Sequence, residues 1–197
     1  RGVHALSQQA TDAFENARTI VQHHIGAEES CETIWTGGAT DAINLVAQSW
    51  GRAHIGAGDT ILITKMEHHA NIVPWQMLAE EVGAHVEAVE VLENGSLDEE
   101  DLAAKLAKGP KLFAFVHVSN TLGTVNDAKA LTEQAHAAGA TVLIDGCQAV
   151  PHMDVDVQDV LFGQPVLHLQ SHFRHREPFQ NIADERVHQH GFCSLQS

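Results

Sequence analysis

Four short runs hold most of the side chains that could do chemistry: Gly37-Gly38-Ala39-Thr40, Glu67-His68-His69-Ala70-Asn71, Ser119-Asn120 and Asp145-Gly146-Cys147-Gln148. A glycine pair followed by Ala39 and Thr40 at the head of a helical stretch offers free backbone N–H groups, the positive end of a helix dipole and a hydroxyl. That set suits a phosphate. It is neither a dinucleotide G-x-G-x-x-G loop nor a P-loop, since no G-K-[ST] follows. Asp145 closes the apolar run TVLID, and a carboxylate there needs a partner because a bare charge is costly to bury. A protonated heterocyclic nitrogen, a Lys or Arg side chain, or a helix N-terminus would serve. His68 and His69 allow a metal centre, a base, or an imidazole face lying on a flat aromatic ligand. The run lacks the H-E-x-x-H spacing, which makes metal the weakest of the three. Asn120 and Gln148 offer amide groups to a ligand oxygen. Each run also has an ordinary explanation: a capped turn, an ion pair, solvated loop histidines, loop hydrogen bonds. His69 and Asn71 read as loop and helix-start residues.

The elements that must position these runs follow from hydrophobic spacing. Ala10, Ala13, Phe14, Ala17, Ile20 and Val21 share one helical face. ETIW reads as a short strand, DAINLVAQSWGRAHIG as a helix, and DTILIT as a buried strand. NIVPWQMLAEEVG is helical, with Pro74 acceptable only in its first turn. AHVEAVEV alternates as a strand does, and SLDEEDLAAKLAKG starts as a helix with Ser96 as cap and Glu99 three residues on. PKLFAFVHVS, DAKALTEQAHAAGA and TVLID complete the order as strand, helix and strand. Strands that alternate with helices predict an α/β fold, a mainly parallel sheet flanked by helices. Right-handed crossovers then bring all the strand C-terminal ends to one edge, where ligands bind in such sheets. All four runs lie at or just past strand ends.

The formal net charge of −15 and the lack of a basic cluster exclude nucleic acid and anionic membranes as expected partners. No apolar run approaches the ~20 residues of a membrane span. Cys31, Cys147 and Cys193 form no disulfide framework and no CxxC site, which points to a reducing cytoplasm. Past residue 158 the periodicity is lost. Residues 159–197 carry three of the six arginines, five of the fifteen histidines and no lysine, and read as a His-rich tail, disordered or of altered reading frame.

The runs RGVHALSQQATDAFENAR, GGATDAINLVAQSWG, GDTILITKMEHHANIVPWQ, HVSNTLGT and VLIDGCQAVPHMDVDVQ, taken together over residues 1–158, resemble the class V aminotransferase fold. Within it the resemblance is to the cysteine desulfurase and selenocysteine lyase branch, enzymes that use pyridoxal 5'-phosphate (PLP). It implies that residues 1–158 are an incomplete PLP-binding large domain. It also implies that Ala39 and Thr40 sit at the cofactor phosphate and His68 stacks on the pyridine ring. Asp145 would pair with the ring nitrogen, and Asn120 and Gln148 would contact the side of the phenolic oxygen. Ala39 replaces a threonine frequent in the family, keeping the backbone contact without the hydroxyl.

The resemblance further implies an amino-acid substrate, a homodimer, a sulfur-acceptor protein, and a Ser-x-His-Lys segment that supplies the Schiff-base lysine. By spacing that lysine falls near Ser171, and no lysine follows Lys129. The nucleophilic cysteine of the family has no counterpart, since neither Cys147 nor Cys193 matches it. The implied function is removal of sulfur from L-cysteine to leave alanine and a persulfide, with activity of this chain impaired or absent. Two other readings stand beside it. One is a different class V reaction, transamination or selenocysteine cleavage. The other is a non-catalytic module that binds a partner or metal, with His168, His172 and His175 at helical spacing around Zn²⁺.

Overall fold

A computed structural model describes residues 4–160, 166–170 and 192–195. The chain starts with helix α1 (Ala5–His24), then strand β1 (Thr33–Trp35) and helix α2 (Ala39–Val46). α2 runs on through a π-helical turn, Ala47–Gly51, into the short α3 (Arg52–His54), where the sequence predicts one continuous helix. The turn sets Gly51 so close to Leu78 that a Cβ there would lie 2.6 Å from Leu78 Cδ2. Next come β2 (Thr60–Thr64), α4 (Val73–Val82), β3 (His85–Val89), α5 (Glu99–Leu106), β4 (Leu112–Val116), α6 (Ala128–Ala137) and β5 (Thr141–Asp145). Pro74 lies in the first turn of α4, as its missing N–H requires. Gly83 ends that helix in the left-handed conformation, φ 76°.

The cap of α5 differs from expectation. Asp98, not Ser96, accepts hydrogen bonds from the backbone N–H groups of Glu100 (3.0 Å) and Asp101 (3.1 Å). Ser96 is held one turn earlier, donating from its hydroxyl to Asn94 Oδ1 at 2.8 Å. A carboxylate two residues nearer the helix satisfies the free N–H groups first, so the helix starts there.

Two further strands, β6 (Val166–Gln170) and β7 (Phe192–Leu195), complete a seven-stranded sheet of order β1-β7-β6-β5-β4-β2-β3. β2 to β6 run parallel, and β7 is antiparallel to both β1 and β6. Both added strands fall in the span read as an unmatched tail. His168 is in β6, so the helical spacing suggested for a zinc site does not apply to it. Ser171, His172 and His175 lie outside the described residues.

The sheet is apolar on both faces because each strand splits its side chains by parity. Ile61, Ile63, Leu112, Ala114 and Leu143 pack with Ile43 and Val46 of α2 and Trp75 and Leu78 of α4. Leu62, Phe113, Phe115, Val142 and Ile144 pack on the other face with Leu102 and Leu106 of α5 and Leu131 of α6. Each such aliphatic or aromatic side chain, fully buried, contributes on the order of 2 kcal/mol. Helices on both faces leave the strand ends as the exposed edge where polar loops can converge.

Candidate functional site

The C-terminal ends of β1, β2, β4 and β5 border one cleft of about 360 Å³. It is lined by Ala39, Thr40, His68, Asn120, Asp145 and Gln148, so the six residues singled out in the sequence meet at one place. Gly37, Gly38, Asp41, Ala70, Val116 and Cys147 line it as well.

The glycine turn builds one end. Gly38, at φ 153°, is the residue before the first turn of α2, an angle that side chains rarely adopt. The carbonyl of Gly38 accepts the first helical bond from Ala42 N–H at 3.0 Å. The N–H groups of the first turn have no partners within the helix, and Gly37 to Asp41 line this end of the cleft. Asp41 was not singled out by the sequence reading, yet it borders this seat. Its carboxylate lies against Gly37, where any Cβ would collide with it.

His68 opens the 3₁₀ turn His69–Asn71, and its Nδ1 accepts from Ala70 N–H at 3.2 Å. That bond assigns the ring proton of the neutral form to Nε2. The imidazole of His69 meets the His68 ring edge-on, with centroids 5.9 Å apart.

Asp145 is buried, at 4% exposure, on the last residue of β5. Its Oδ1 accepts from Cys147 N–H at 3.0 Å. No ion pair involves it among the described residues, so the Lys and Arg alternatives raised by the sequence are not realised there, and the bond from Cys147 N–H is of the turn-capping kind. A buried carboxylate that borders a cleft without a cation can take a cationic group of a ligand.

Glu67 is the residue that sequence reasoning missed. It is buried beneath the His68 turn, and its carboxyl accepts from the Thr64 hydroxyl, from Val116 N–H (3.0 Å) and from Asn71 Nδ2 (2.7 Å). Asn71 Oδ1 in turn accepts from Trp75 Nε1–H at 2.9 Å. Burial pushes the Glu67 carboxyl up to about 8, against the lowering by Thr64, Asn71 and Val116 and with a small further push from Asp145. The signal available in the sequence was a glutamate three residues past a buried strand with no Lys or Arg beside it except Lys65, whose ammonium pairs with Glu90 at 2.5 Å.

The aminotransferase class-V family model matches residues 1–162. The chain belongs to the class-V aminotransferase family. A cysteine desulfurase of Pectobacterium atrosepticum is 52% identical over 160 residues, 81% of this chain and 39% of that protein. A probable cysteine desulfurase of Halalkalibacterium halodurans is 47% identical over the same share of both. The solved apo structure of a cysteine desulfurase from Thermococcus onnurineus NA1 covers 100% of this chain and 46% of that one, with a TM-score of 0.85 and 34% identity. The chain thus spans about two fifths of the length of these curated relatives.

Against the cofactor that the family resemblance implies, the donor set fits. The cleft has a helix N-terminus with a hydroxyl, a set that suits a phosphate, an imidazole in the same lining, and a buried carboxylate with no ion-pair partner among the described residues. A covalent hold on an aldehyde is not provided by these residues. All five lysines lie within the described residues, and none lines the cleft.

Proposed function

We propose that this chain carries the PLP seat of a cysteine desulfurase-type enzyme. Asp145 is the observation that carries the reading: a carboxylate at the end of an apolar strand, buried, bordering the cleft and free of any ion pair among the described residues. PLP supplies an electron-withdrawing ring that stabilises negative charge on the carbon of a bound amino acid. In that setting Asp145 would hold the proton on the ring nitrogen. The backbone of Ala39 and the hydroxyl of Thr40 would anchor the phosphate, and His68 would cover one ring face. Asn120 and Gln148 would orient the ring through its oxygen. The substrate of the whole protein is then L-cysteine, with alanine and a persulfide as products, a homodimer as assembly and a sulfur-accepting protein as partner. Its place is the cytoplasm; no described helix is long and apolar enough to cross a membrane.

Titrating the purified chain with PLP, followed by the cofactor's absorbance and by tryptophan fluorescence, tests this. Saturable binding is expected, weakened about tenfold or more in Asp145→Ala because a charge-assisted bond is lost. Equal affinity in both proteins would remove the assignment.

A further inference from the structure

The cleft sits where the order of strands reverses. β3 lies on one side of β2, whereas β5 and β6 lie beyond β4 on the other, so connections leave the β2–β4 pair in opposite directions. Strand ends at such a point separate and open a crevice. The ladder between them pairs Ile61 with Leu112 and Leu62 with Phe113. At Val116, three residues on, β2 has already ended at Thr64. Val116 still needs partners for its N–H and C=O on that side, since buried backbone groups are rarely left unpaired. Side chains supply them. Glu67 Oε1 accepts from the N–H at 3.0 Å, and Asn126 Nδ2 donates to the C=O at 2.7 Å. On its other side β4 stays tied to β5, with Val116 opposite Asp145 and His117 N–H donating to Asp145 O at 2.9 Å.

We propose that Glu67 is a positioning residue for the cleft, whose single carboxyl ties the turn carrying His68 to the end of β4 beside Asp145 and so fixes the spacing of the two walls. One oxygen reaches the β4 wall at Val116. The other reaches the His68 wall through Asn71, which Trp75 holds from the start of α4. A two-oxygen acceptor is what the place demands, since a shorter or apolar side chain would leave Val116 N–H and Asn71 Nδ2 buried without partners. The inference rests on the cofactor reading: the spacing it sets is that between the imidazole and the carboxylate assigned to the ring.

The test measures PLP affinity, the circular dichroism that the bound cofactor acquires, and thermal stability in the full chain. Glu67→Ala is expected to raise the Kd for PLP about tenfold and to change the induced dichroism. Glu67→Gln, which keeps an acceptor for Val116 but loses the one for Asn71 Nδ2, should bind PLP with an affinity between those of the unaltered chain and Glu67→Ala. A Glu67→Ala protein that is less stable yet binds with unchanged affinity and dichroism would show a structural role only and overturn the proposal. Where Glu67→Ala does not fold, the Trp75 indole proton of the unaltered chain is followed by NMR as PLP is added. A shift supports the network's link to the cleft, and an unmoved resonance overturns it. Failure of the unaltered chain to bind PLP overturns the cofactor reading and this inference together. Binding that Asp145→Ala weakens and Glu67→Ala does not overturns the inference alone.

Discussion

Two buried carboxyls stand at this sheet edge, and their surroundings set them apart. Asp145 has one backbone N–H and borders the cleft, whereas Glu67 is enclosed by Thr64, Asn71 and Val116. Burial raises Glu67 from 4.5 to about 8, against the lowering by its three hydrogen-bond donors. The folded state therefore binds more protons than the unfolded state between about pH 4.5 and 8. The stability associated with Glu67 is complete below the lower value and is lost as pH rises through the upper one, by up to roughly 1 kcal/mol per pH unit. Burial lowers His117 instead, with Asp127 opposing, and its contribution has the opposite sign. Comparing urea unfolding of the unaltered chain and Glu67→Gln across this window cancels the His117 effect. The unaltered chain should lose stability relative to the variant as pH rises, and parallel profiles would contradict the raised value.

At the scale of elements, the order and type of the helices and strands through β5 are legible in the sequence, apart from the π-helical turn between α2 and α3, because apolar side chains change period cleanly, 3.6 in the helices and alternating or continuous in the strands. The exceptions have physical causes. The cap of α5 was misassigned because Ser96 and Asp98 both suit an N-cap and spacing alone favours the one with Glu99 three residues on. The structure gives Ser96 to the turn with Asn94 and the helix to Asp98. Asp98→Ala is thus expected to destabilise the chain by about 1 kcal/mol. Ser96→Ala should stay within about 0.5 kcal/mol. Urea denaturation of both variants decides it; the reverse ranking would return the cap to Ser96. The antiparallel β7 was not legible either, since a four-residue strand, Phe192–Leu195, in a stretch without periodicity carries no local signal. The convergence of the six candidate residues on one cleft was legible because parallel topology brings strand ends together. Glu67 was not, because what gives it meaning is Val116, 49 positions away in the chain.

For the whole molecule, the proposed cofactor seat can be tested apart from any covalent anchor. The sheet edge brings together, from loops that follow four different strands, the side chains proposed to meet the phosphate, ring face, ring nitrogen and ring oxygen. A lysine is the group that would join the cofactor's aldehyde to protein, and the cleft lining has none. Lys65 pairs with Glu90, Lys105 with Asp101 and Lys108 with Glu87, in each case away from the residues that line the cleft. Binding by this chain should therefore be non-covalent. Incubation with PLP, reduction with borohydride and intact-mass analysis with peptide mapping are expected to leave no stoichiometric adduct on a single lysine, and added L-cysteine should release no sulfide above the free-cofactor rate. The same incubation without reduction should show PLP retained in equilibrium dialysis and lost on extensive dialysis, as a reversible complex requires. A single modified lysine accompanied by cysteine-dependent sulfide would mean that one of the five moves into the cleft, and the separation of seat from anchor would be wrong.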